Sequence, residues 1–185
     1  MTDAELREAI REHAYLEGDF VLRSGRRSRY YLDKYRFETR PELLAPLGQR
    51  LAAEVQQHEP EAIRLAGPEL GAVALAAAAS LASGVPFLIV RKQAKGYGSD
   101  RRIEGEWQAG ERVCLIEDVV TSGGALLDAV AAVREAGLVC GSAVCVVDRE
   151  EGGADALARQ AVRLRPLFRA SEIAQSAGSP GKPHG

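Results

Sequence analysis

The chain has 185 residues, with 24 Lys or Arg, 26 Asp or Glu and a formal net charge of −2. This length fits one domain with a substantial core, and the near-neutral balance argues against a general binder of polyanions. Any affinity for phosphate must therefore come from a local cluster.

The first forty residues predict a helix followed by a hairpin. Residues 3–16 have the pattern of an amphipathic helix with Thr2 or Asp3 as its N-cap. Residues 20–33 predict a hairpin, because a turn sequence separates two apolar runs. These elements lie outside the alternation that follows, so we predict that residues 1–40 form a small hood.

Helices and strands are predicted to alternate in the rest of the chain. The main predicted helices cover residues 41–57, 70–82 and 124–136, and the predicted strands cover residues 62–66, 86–91, 112–118, 139–148 and 162–166. Continuous apolar strands alternating with helices indicate an α/β fold, with a mainly parallel sheet flanked by helices on both faces. We predict a single domain over residues 1–176 and a disordered Gly- and Pro-rich tail at 177–185.

Cysteine usage and hydropathy indicate a cytoplasmic protein. Cys114, Cys140 and Cys145 lie in apolar runs, and an odd number without a CxxC spacing favours buried thiols in a reducing compartment. The polar start does not have the pattern of a secretory signal. No apolar run approaches the roughly 20 residues that span a bilayer.

The segment 113–125, VCLIEDVVTSGGA, carries the strongest chemical signal. An apolar strand ends in the adjacent carboxylates of Glu117 and Asp118, and a loop of small residues then opens a helix. Ligands of open α/β sheets bind at the carboxyl ends of strands, and N–H groups at a helix N-terminus suit a phosphate. The carboxylates can accept hydrogen bonds from sugar hydroxyls, directly or through Mg²⁺ and water. An ordinary strand-to-helix turn is the alternative.

A second segment, residues 91–105 with the sequence RKQAKGYGSDRRIEG, is polar and basic. It has three glycines and five basic residues without regular periodicity, and such a segment in a compact domain is usually a functional lid or disordered. A mobile cationic lid would stabilise a leaving pyrophosphate and exclude water on closure. A solvated charged loop is the alternative. We place the lid loop at residues 92–110.

The first segment resembles the 5-phosphoribosyl-1-pyrophosphate (PRPP) site of type I phosphoribosyltransferases. The RKxxKGYG…EG pattern of the second narrows the resemblance to orotate phosphoribosyltransferases. Residues 20–31 resemble the N-terminal hood of this family, and residues 146–152 resemble its last core strand and the arginine beyond. The likeness covers nearly the whole chain.

The resemblance implies a fold, an activity and a cofactor. The fold would be that of type I phosphoribosyltransferases, with a small N-terminal hood and a mobile lid loop. The activity would be that of a pentosyltransferase, converting orotate and PRPP to orotidine 5′-phosphate and pyrophosphate in the synthesis of UMP. Mg²⁺ would be needed and held mainly by PRPP and water. A homodimer is implied, with each lid acting in trans, and neither nucleic acid nor membrane is expected as a partner.

Roles for individual residues also follow from the resemblance. The catalytic residues would be Lys92, Lys95 and Asp118. The PRPP-binding residues would be Arg23, Arg91, Lys92, Lys95, Tyr97, Glu117, Asp118, Val119, Val120, Thr121, Ser122, Gly123, Gly124 and Ala125. The orotate-binding residues would be Thr121, Arg149, Tyr30 and Tyr31. The role of Arg149 also has a chemical basis apart from the resemblance, because a guanidinium binds a carboxylate such as that of orotate.

Three positions depart from the family pattern. Tyr97 stands where many members have histidine, so this position need not titrate near neutral pH. Arg23 stands where others have lysine, which keeps the charge but changes the geometry. The loop at residues 67–71, GPELG, lacks a lysine found there in some members, so we expect its backbone N–H groups to bind pyrophosphate.

Two other functions remain open from the sequence. A phosphoribosyltransferase for another base, such as a purine, would keep the PRPP turn but would not need Arg149 or this lid pattern. A non-catalytic regulator that senses PRPP and binds nucleic acid would need a basic face, and the net charge of −2 weighs against it. The tyrosines at positions 30 and 31 could also be simple packing residues of the hairpin.

Overall fold

The computed structural model describes residues 1–21, 25, 27–93 and 101–175. Three residues with predicted roles, Arg23, Lys95 and Tyr97, lie outside the described residues, as does the predicted tail at 177–185.

The described residues form helices and strands that alternate along most of the chain. The helices are α1 (Asp3–Ala14), α2 (Tyr35–Glu38), α3 (Pro41–His58), α4 (Gly71–Ser83), α5 (Gly124–Glu135), α6 (Gly153–Ala158) and α7 (Ala170–Gln175). The strands are β1 (Tyr15–Val21), β2 (Arg27–Leu32), β3 (Arg64–Pro68), β4 (Phe87–Val90), β5 (Ile103–Glu104), β6 (Arg112–Val120), β7 (Val139–Asp148) and β8 (Arg163–Arg169). In these described ranges, no helix combines the length and apolar character needed to cross a membrane.

The main sheet has six strands in the order β5-β4-β3-β6-β7-β8. The pairs β4–β3, β3–β6, β6–β7 and β7–β8 are parallel, and β5 alone in this sheet runs antiparallel to its neighbour. The mainly parallel α/β architecture predicted from the sequence is therefore confirmed. The strands β1 and β2 form a separate antiparallel hairpin.

Alternate side chains of β6 pack into two different hydrophobic cores. Cys114 and Ile116 belong to the core shared with α1, α3, α4 and α7, whereas Val113 and Leu115 belong to the core shared with α5 and α6. Successive side chains of a strand point to opposite faces, so the sheet is buried on both sides. This explains why the strands read as continuous apolar runs.

The first helix is part of the main core rather than of a separate hood. Its start is capped by Thr2, whose hydroxyl accepts a hydrogen bond from the backbone N–H of Glu5 at 3.2 Å. Leu6, Ile10 and Ala14 are fully buried in the core that also contains α3. The predicted hood therefore reduces to the β1–β2 hairpin and the short α2.

The hairpin begins earlier than the sequence predicts. The predicted helix ran to residue 16, but α1 ends at Ala14 and Tyr15 is the first residue of β1. Tyr15 pairs across the hairpin with Leu32, and its ring stacks on that of Tyr30 with centroids 4.9 Å apart. Cross-strand aromatic pairs of this kind stabilise an extended backbone, which explains the wrong prediction.

The central strand β6 is longer than predicted. It continues through Val120, which pairs with Asp148 of β7. Glu117 and Asp118 therefore lie within the paired strand, where they are buried, rather than at its end as predicted. The turn that follows is correspondingly short.

The segment predicted as the lid, residues 92–110, contains regular structure in its second half. Ile103–Glu104 forms β5, which pairs with the outer edge of β4. The indole N–H of Trp107 then donates a hydrogen bond to the carbonyl of Ala136, 3.1 Å away, at the end of α5. The second half of this segment is therefore part of the domain body rather than of a lid.

Candidate active site

The carboxyl ends of three neighbouring strands carry the polar residues that the sequence singled out. β3 leads into the loop at residues 67–71, β6 into the turn at residues 121–123, and β7 into Arg149. The backbone N–H of Arg149 donates to the carbonyl of Val120 at 2.8 Å, which ties the last two segments together. This edge of a parallel sheet is where α/β proteins bind ligands.

The turn after β6 opens directly into α5 and forms a shallow concavity. The concavity is lined by Glu117, Val119, Val120, Thr121, Gly123, Gly124, Ala125 and Leu126. Thr121, Ser122, Gly124 and Ala125 are exposed, so their backbone and hydroxyl groups are open to a ligand. Gly123 has a φ of 83° and precedes the first residue of the helix. N–H groups at such a helix start favour a phosphate.

Gly153, the first residue of α6, packs closely against this turn. A Cβ added to Gly153 would lie 2.5 Å from the carbonyl oxygen of Thr121 and 2.5 Å from the Val120 side chain. Only glycine fits this contact between the start of α6 and the turn. Sequence reasoning did not assign Gly153 a part in the site, although the Gly152-Gly153 pair marks it as an unusual helix start.

Asp118 lies at the centre of a hydrogen-bonded cluster. Its Oδ2 is 2.6 Å from the Nζ of Lys34, and its Oδ1 accepts the backbone N–H of Val119 at 2.6 Å. The Asp118 side chain is 2% exposed and that of Lys34 is 33% exposed. Glu117 is held beside it, because the Glu117 Oε1 accepts the backbone N–H of Asp118 at 3.0 Å.

Glu38 of α2 completes this cluster as a second buried carboxyl group facing Asp118. Its side chain and that of Glu117 are both buried. Burial, followed by the charge of Asp118, raises the pKa of Glu38 to about 8 and that of Glu117 to about 8. Near neutral pH both groups therefore largely keep their protons, which leaves the carboxylate of Asp118 to pair with Lys34.

The position of Gly71 makes room for these side chains. A Cβ at Gly71 would lie 2.2 Å from the Oδ2 of Asp118 and 2.8 Å from the Oε1 of Glu38. The start of α4 therefore forms one wall of the cluster. The sequence analysis missed Lys34, Glu38 and this function of Gly71, because nothing in a local pattern connects them with β6.

Arg149 is buried where the hairpin meets the main sheet. Its guanidinium carbon lies 4.7 Å from the centroid of the Tyr30 ring, which in turn stacks on Tyr15. The Nε of Arg149 is 3.2 Å from the Oε1 of Glu151. Tyr31 faces the other way, because its ring contacts Phe20 and is 42% exposed. The structure thus brings Tyr30, but not Tyr31, to Arg149.

The described end of the basic segment borders a cavity of about 260 Å³. The cavity is lined by Pro68, Glu69, Val90, Arg91, Lys92, Gly124, Ala125, Asp128 and Ala129. It therefore lies between the loop after β3, the start of the basic segment and the start of α5. The backbone N–H of Lys92 donates to the Oε1 of Glu69 at 2.7 Å, and the Nη1 of Arg91 is 3.5 Å from the Oε1 of Glu104.

Comparisons with known proteins decide the family. No family model matches the chain. The chain is 48% identical over 172 residues to the orotate phosphoribosyltransferase of Methanocella arvoryzae, which covers 92% of this chain and 97% of that protein.

The chain belongs to the orotate phosphoribosyltransferase family.

Solved structures agree with this assignment. The orotate phosphoribosyltransferase of Aeropyrum pernix superposes with a TM-score of 0.81 at 32% identity, covering 97% of this chain and all of that chain. The enzyme of Mycobacterium tuberculosis H37Rv in complex with PRPP superposes with a TM-score of 0.77 at 32% identity, covering 93% of this chain and 98% of that chain. The predicted type I phosphoribosyltransferase fold is thereby confirmed.

Among its described residues, the site offers few groups that could hold a metal ion without further ligands from water or substrate. Within the ranges that the structure describes, no cluster of three or more His, Cys, Asp or Glu residues is arranged to bind an ion. The carboxylates of the central cluster are engaged with Lys34 and with backbone N–H groups. Such a site fits an ion that keeps oxygens of water and substrate as ligands, as Mg²⁺ does.

Proposed function

We propose that the chain transfers the phosphoribosyl group of PRPP to orotate, giving orotidine 5′-phosphate and pyrophosphate. Besides the family, the observation that carries this proposal is the placement of Arg149 over Tyr30, next to the turn after β6. A guanidinium beside an aromatic ring suits a flat base that carries a carboxylate. Orotate has such a carboxylate and purines do not, which favours orotate as the substrate.

Different residues of the proposed site would bind different parts of PRPP and orotate. The turn at residues 119–125 would hold the 5′-phosphate through backbone N–H groups and hydroxyls. Glu117 and Asp118 would accept hydrogen bonds from the ribose hydroxyls. Thr121 and Arg149 would bind orotate, and Tyr30 would lie beside its ring. For Tyr31, only the family resemblance supports such a role.

The pyrophosphate would lie in the cavity beside Arg91 and Lys92. Pro68 and Glu69 of the loop at residues 67–71 border the same space. The reaction breaks the bond between C1 of the ribose and pyrophosphate and forms a bond from C1 to a ring nitrogen of the base. The developing charge on the leaving group would be stabilised by these basic side chains and by Lys95, Tyr97 and Arg23, which lie outside the described residues.

No protein nucleophile is needed for this reaction, and catalysis would consist of positioning and charge stabilisation. Mg²⁺, bound mainly through PRPP and water, would offset part of the negative charge of the pyrophosphate. On the protein, Asp118 would position the ribose. Its carboxylate is held by Lys34 at the edge of the sheet where the ribose would lie.

We also propose a cytoplasmic homodimer in which each lid covers the active site of the neighbouring subunit. The family resemblance supports the dimer and the lid in trans. The three cysteines support a reducing compartment, because Cys114, Cys140 and Cys145 are all free and buried. In the cell the product would serve the synthesis of UMP.

A panel of bases tests the proposed reaction. The purified chain is incubated with PRPP, Mg²⁺ and one base at a time, namely orotate, uracil, adenine, guanine or hypoxanthine, and loss of base is followed spectrophotometrically. We expect loss of orotate and little of the others. Consumption of a purine instead would favour the alternative transferase. PRPP binding in calorimetry without turnover of any base would favour a regulator.

A further inference from the structure

Two side chains of the short helix α2 reach the centre of the proposed ribose site. Lys34, the residue before the helix, and Glu38, its last residue, are four positions apart and so lie on the same side of one helical turn. Both face Asp118, which is 84 residues away from Lys34 in the sequence. Neither residue was a candidate in the sequence analysis.

The burial of this cluster makes its charges interdependent. Glu38 is 3% exposed, and Asp118 is 2% exposed. Three carboxyl groups, those of Glu38, Glu117 and Asp118, share this space with the ammonium group of Lys34. Like charges this close cannot all be ionised, so the position of Lys34 decides which carboxyl group carries the charge.

The contacts assign that charge to Asp118. The ammonium of Lys34 is 2.6 Å from its Oδ2, and the carboxyl group of Glu38 borders the same oxygen, because a Cβ added at Gly71 would meet both. Burial by itself lowers the pKa of Lys34, but the negative charges led by that of Asp118 outweigh burial and raise it, so Lys34 stays charged. The second oxygen of Asp118 is held by the N–H of Val119 at 2.6 Å.

A carboxylate held in this way is suited to binding a diol. Each carboxylate oxygen has two lone pairs, so the contacts with Lys34 and Val119 orient Asp118 and leave further acceptor positions. Orientation before binding matters, because an acceptor that is already fixed loses little entropy when the substrate arrives.

We propose that Lys34 and Glu38 are positioning residues that hold Asp118 as an ionised, oriented acceptor for the ribose hydroxyls of PRPP. Lys34 supplies the charge, and Glu38 supplies a neutral hydrogen-bond donor. Both act through Asp118 and neither contacts the base. The inference rests on the proposed function, because it assigns the ribose of PRPP to Asp118.

The first test compares Lys34→Met, Lys34→Arg and the control Arg36→Met. Arg36 belongs to the same helix, is 53% exposed and pairs with Asp33 on the surface. We expect Lys34→Met to lower kcat/KM for PRPP about ten- to a hundredfold, the range for one lost hydrogen bond to a charged group. The KM for orotate should change less, Lys34→Arg should recover most of the loss, and Arg36→Met should match the wild type.

A double-mutant cycle with Asp118→Asn separates positioning from other roles. If Lys34 acts through Asp118, Lys34→Met has less than about a twofold further effect on kcat/KM when Asp118→Asn is already present. Multiplicative effects of the two substitutions would overturn the proposal, because Lys34 would then act independently. Melting temperatures of all variants show whether a loss of activity reflects unfolding.

Glu38 has its own pair of variants. Glu38→Gln keeps a neutral donor of similar shape, so kcat/KM for PRPP should stay within about threefold of wild type, whereas Glu38→Ala should lower it about tenfold. Equal losses in the two variants, with both folded, would contradict the role of a neutral donor.

A binding measurement distinguishes failure of this inference from failure of the proposed function. If the wild type binds PRPP in calorimetry but consumes no orotate, the proposed function fails, and PRPP affinity then decides the positioning role. Affinity of Lys34→Met well below that of Arg36→Met supports the role. Equal affinities in these two variants overturn it, whether or not the wild type is active.

Discussion

The guanidinium of Arg149 lies over the ring of Tyr30, 4.7 Å from its centroid, although Tyr30 lies in the hairpin and Arg149 follows a strand of the main sheet. Arg149 follows the last residue of β7 in the main sheet, whereas Tyr30 lies in the β1–β2 hairpin. The contact places an aromatic ring beside a buried cation at the carboxyl edge of the sheet. The hairpin thus helps to form the proposed base site instead of merely covering it.

Replacing Arg149 by alanine should weaken orotate binding more than PRPP binding. The guanidinium is the proposed partner of the base carboxylate, and a lost charge-assisted hydrogen bond raises KM about ten- to a hundredfold. Arg163→Ala, which removes an exposed arginine of β8, serves as the control. Steady-state kinetics with each substrate varied measure the effect. An equal rise in both KM values, or no relative gain for uracil, would contradict the assignment.

The two tyrosines of β2 should behave differently. Tyr30→Leu removes the ring under Arg149 and should raise the KM for orotate about three- to thirtyfold, the range for a lost cation–π contact with a partly buried partner. Tyr31→Leu should change it less than about twofold, because this ring faces Phe20 and solvent. The same kinetic assay measures both. A larger effect at Tyr31 would show that the hairpin rearranges when orotate binds.

Glu38 should make the stability of the fold depend on pH. The pKa of Glu38 is about 8 in the folded chain against an ordinary value of 4.5. Between these values the folded state binds more protons than the unfolded state, so the free energy of unfolding falls as pH rises. In Glu38→Gln this fall should be smaller, because one of the groups that cause it is gone.

Urea unfolding at pH near 5 and near 8 measures this difference. Glu117 contributes to the fall in both proteins, because its pKa is raised in the same direction. The comparison therefore isolates Glu38. An identical fall in the wild type and in Glu38→Gln would show that Glu38 does not keep its proton in the folded state.

A mixture of two variants with very low but measurable activity should recover activity if the lid acts in trans. Lys95→Ala impairs the proposed lid, and Asp118→Asn strongly impairs the receiving site. In a mixed dimer, one site combines both defects and the other combines an intact lid with an intact site. About half of the dimers are mixed after random exchange, so activity should reach roughly one quarter of wild type.

Subunit exchange and orotate consumption are measured on the same mixture. No recovery after confirmed exchange would place lid and site in the same subunit. That outcome would leave the proposed reaction intact.

Much of the site can be predicted from the sequence because it is encoded by consecutive residues. The apolar run of β6, its two carboxylates and the small residues before α5 identify the ligand edge of a parallel sheet, since strand, turn and helix start follow one another in the chain. Arg149 is found in the same way, directly after β7. Local patterns are sufficient wherever neighbouring backbone groups form the site.

Only the tertiary structure decides which distant side chains meet. Tyr30 and Tyr31 are equivalent in the sequence, but strand alternation and the docking of the hairpin turn Tyr30 towards Arg149. Lys34 meets Asp118 because the hairpin and α2 pack on the main core, where Leu32 and Phe37 are buried. Such packing depends on nonpolar surfaces far apart in the chain, so the charged side chains that it brings together leave no local pattern in the sequence.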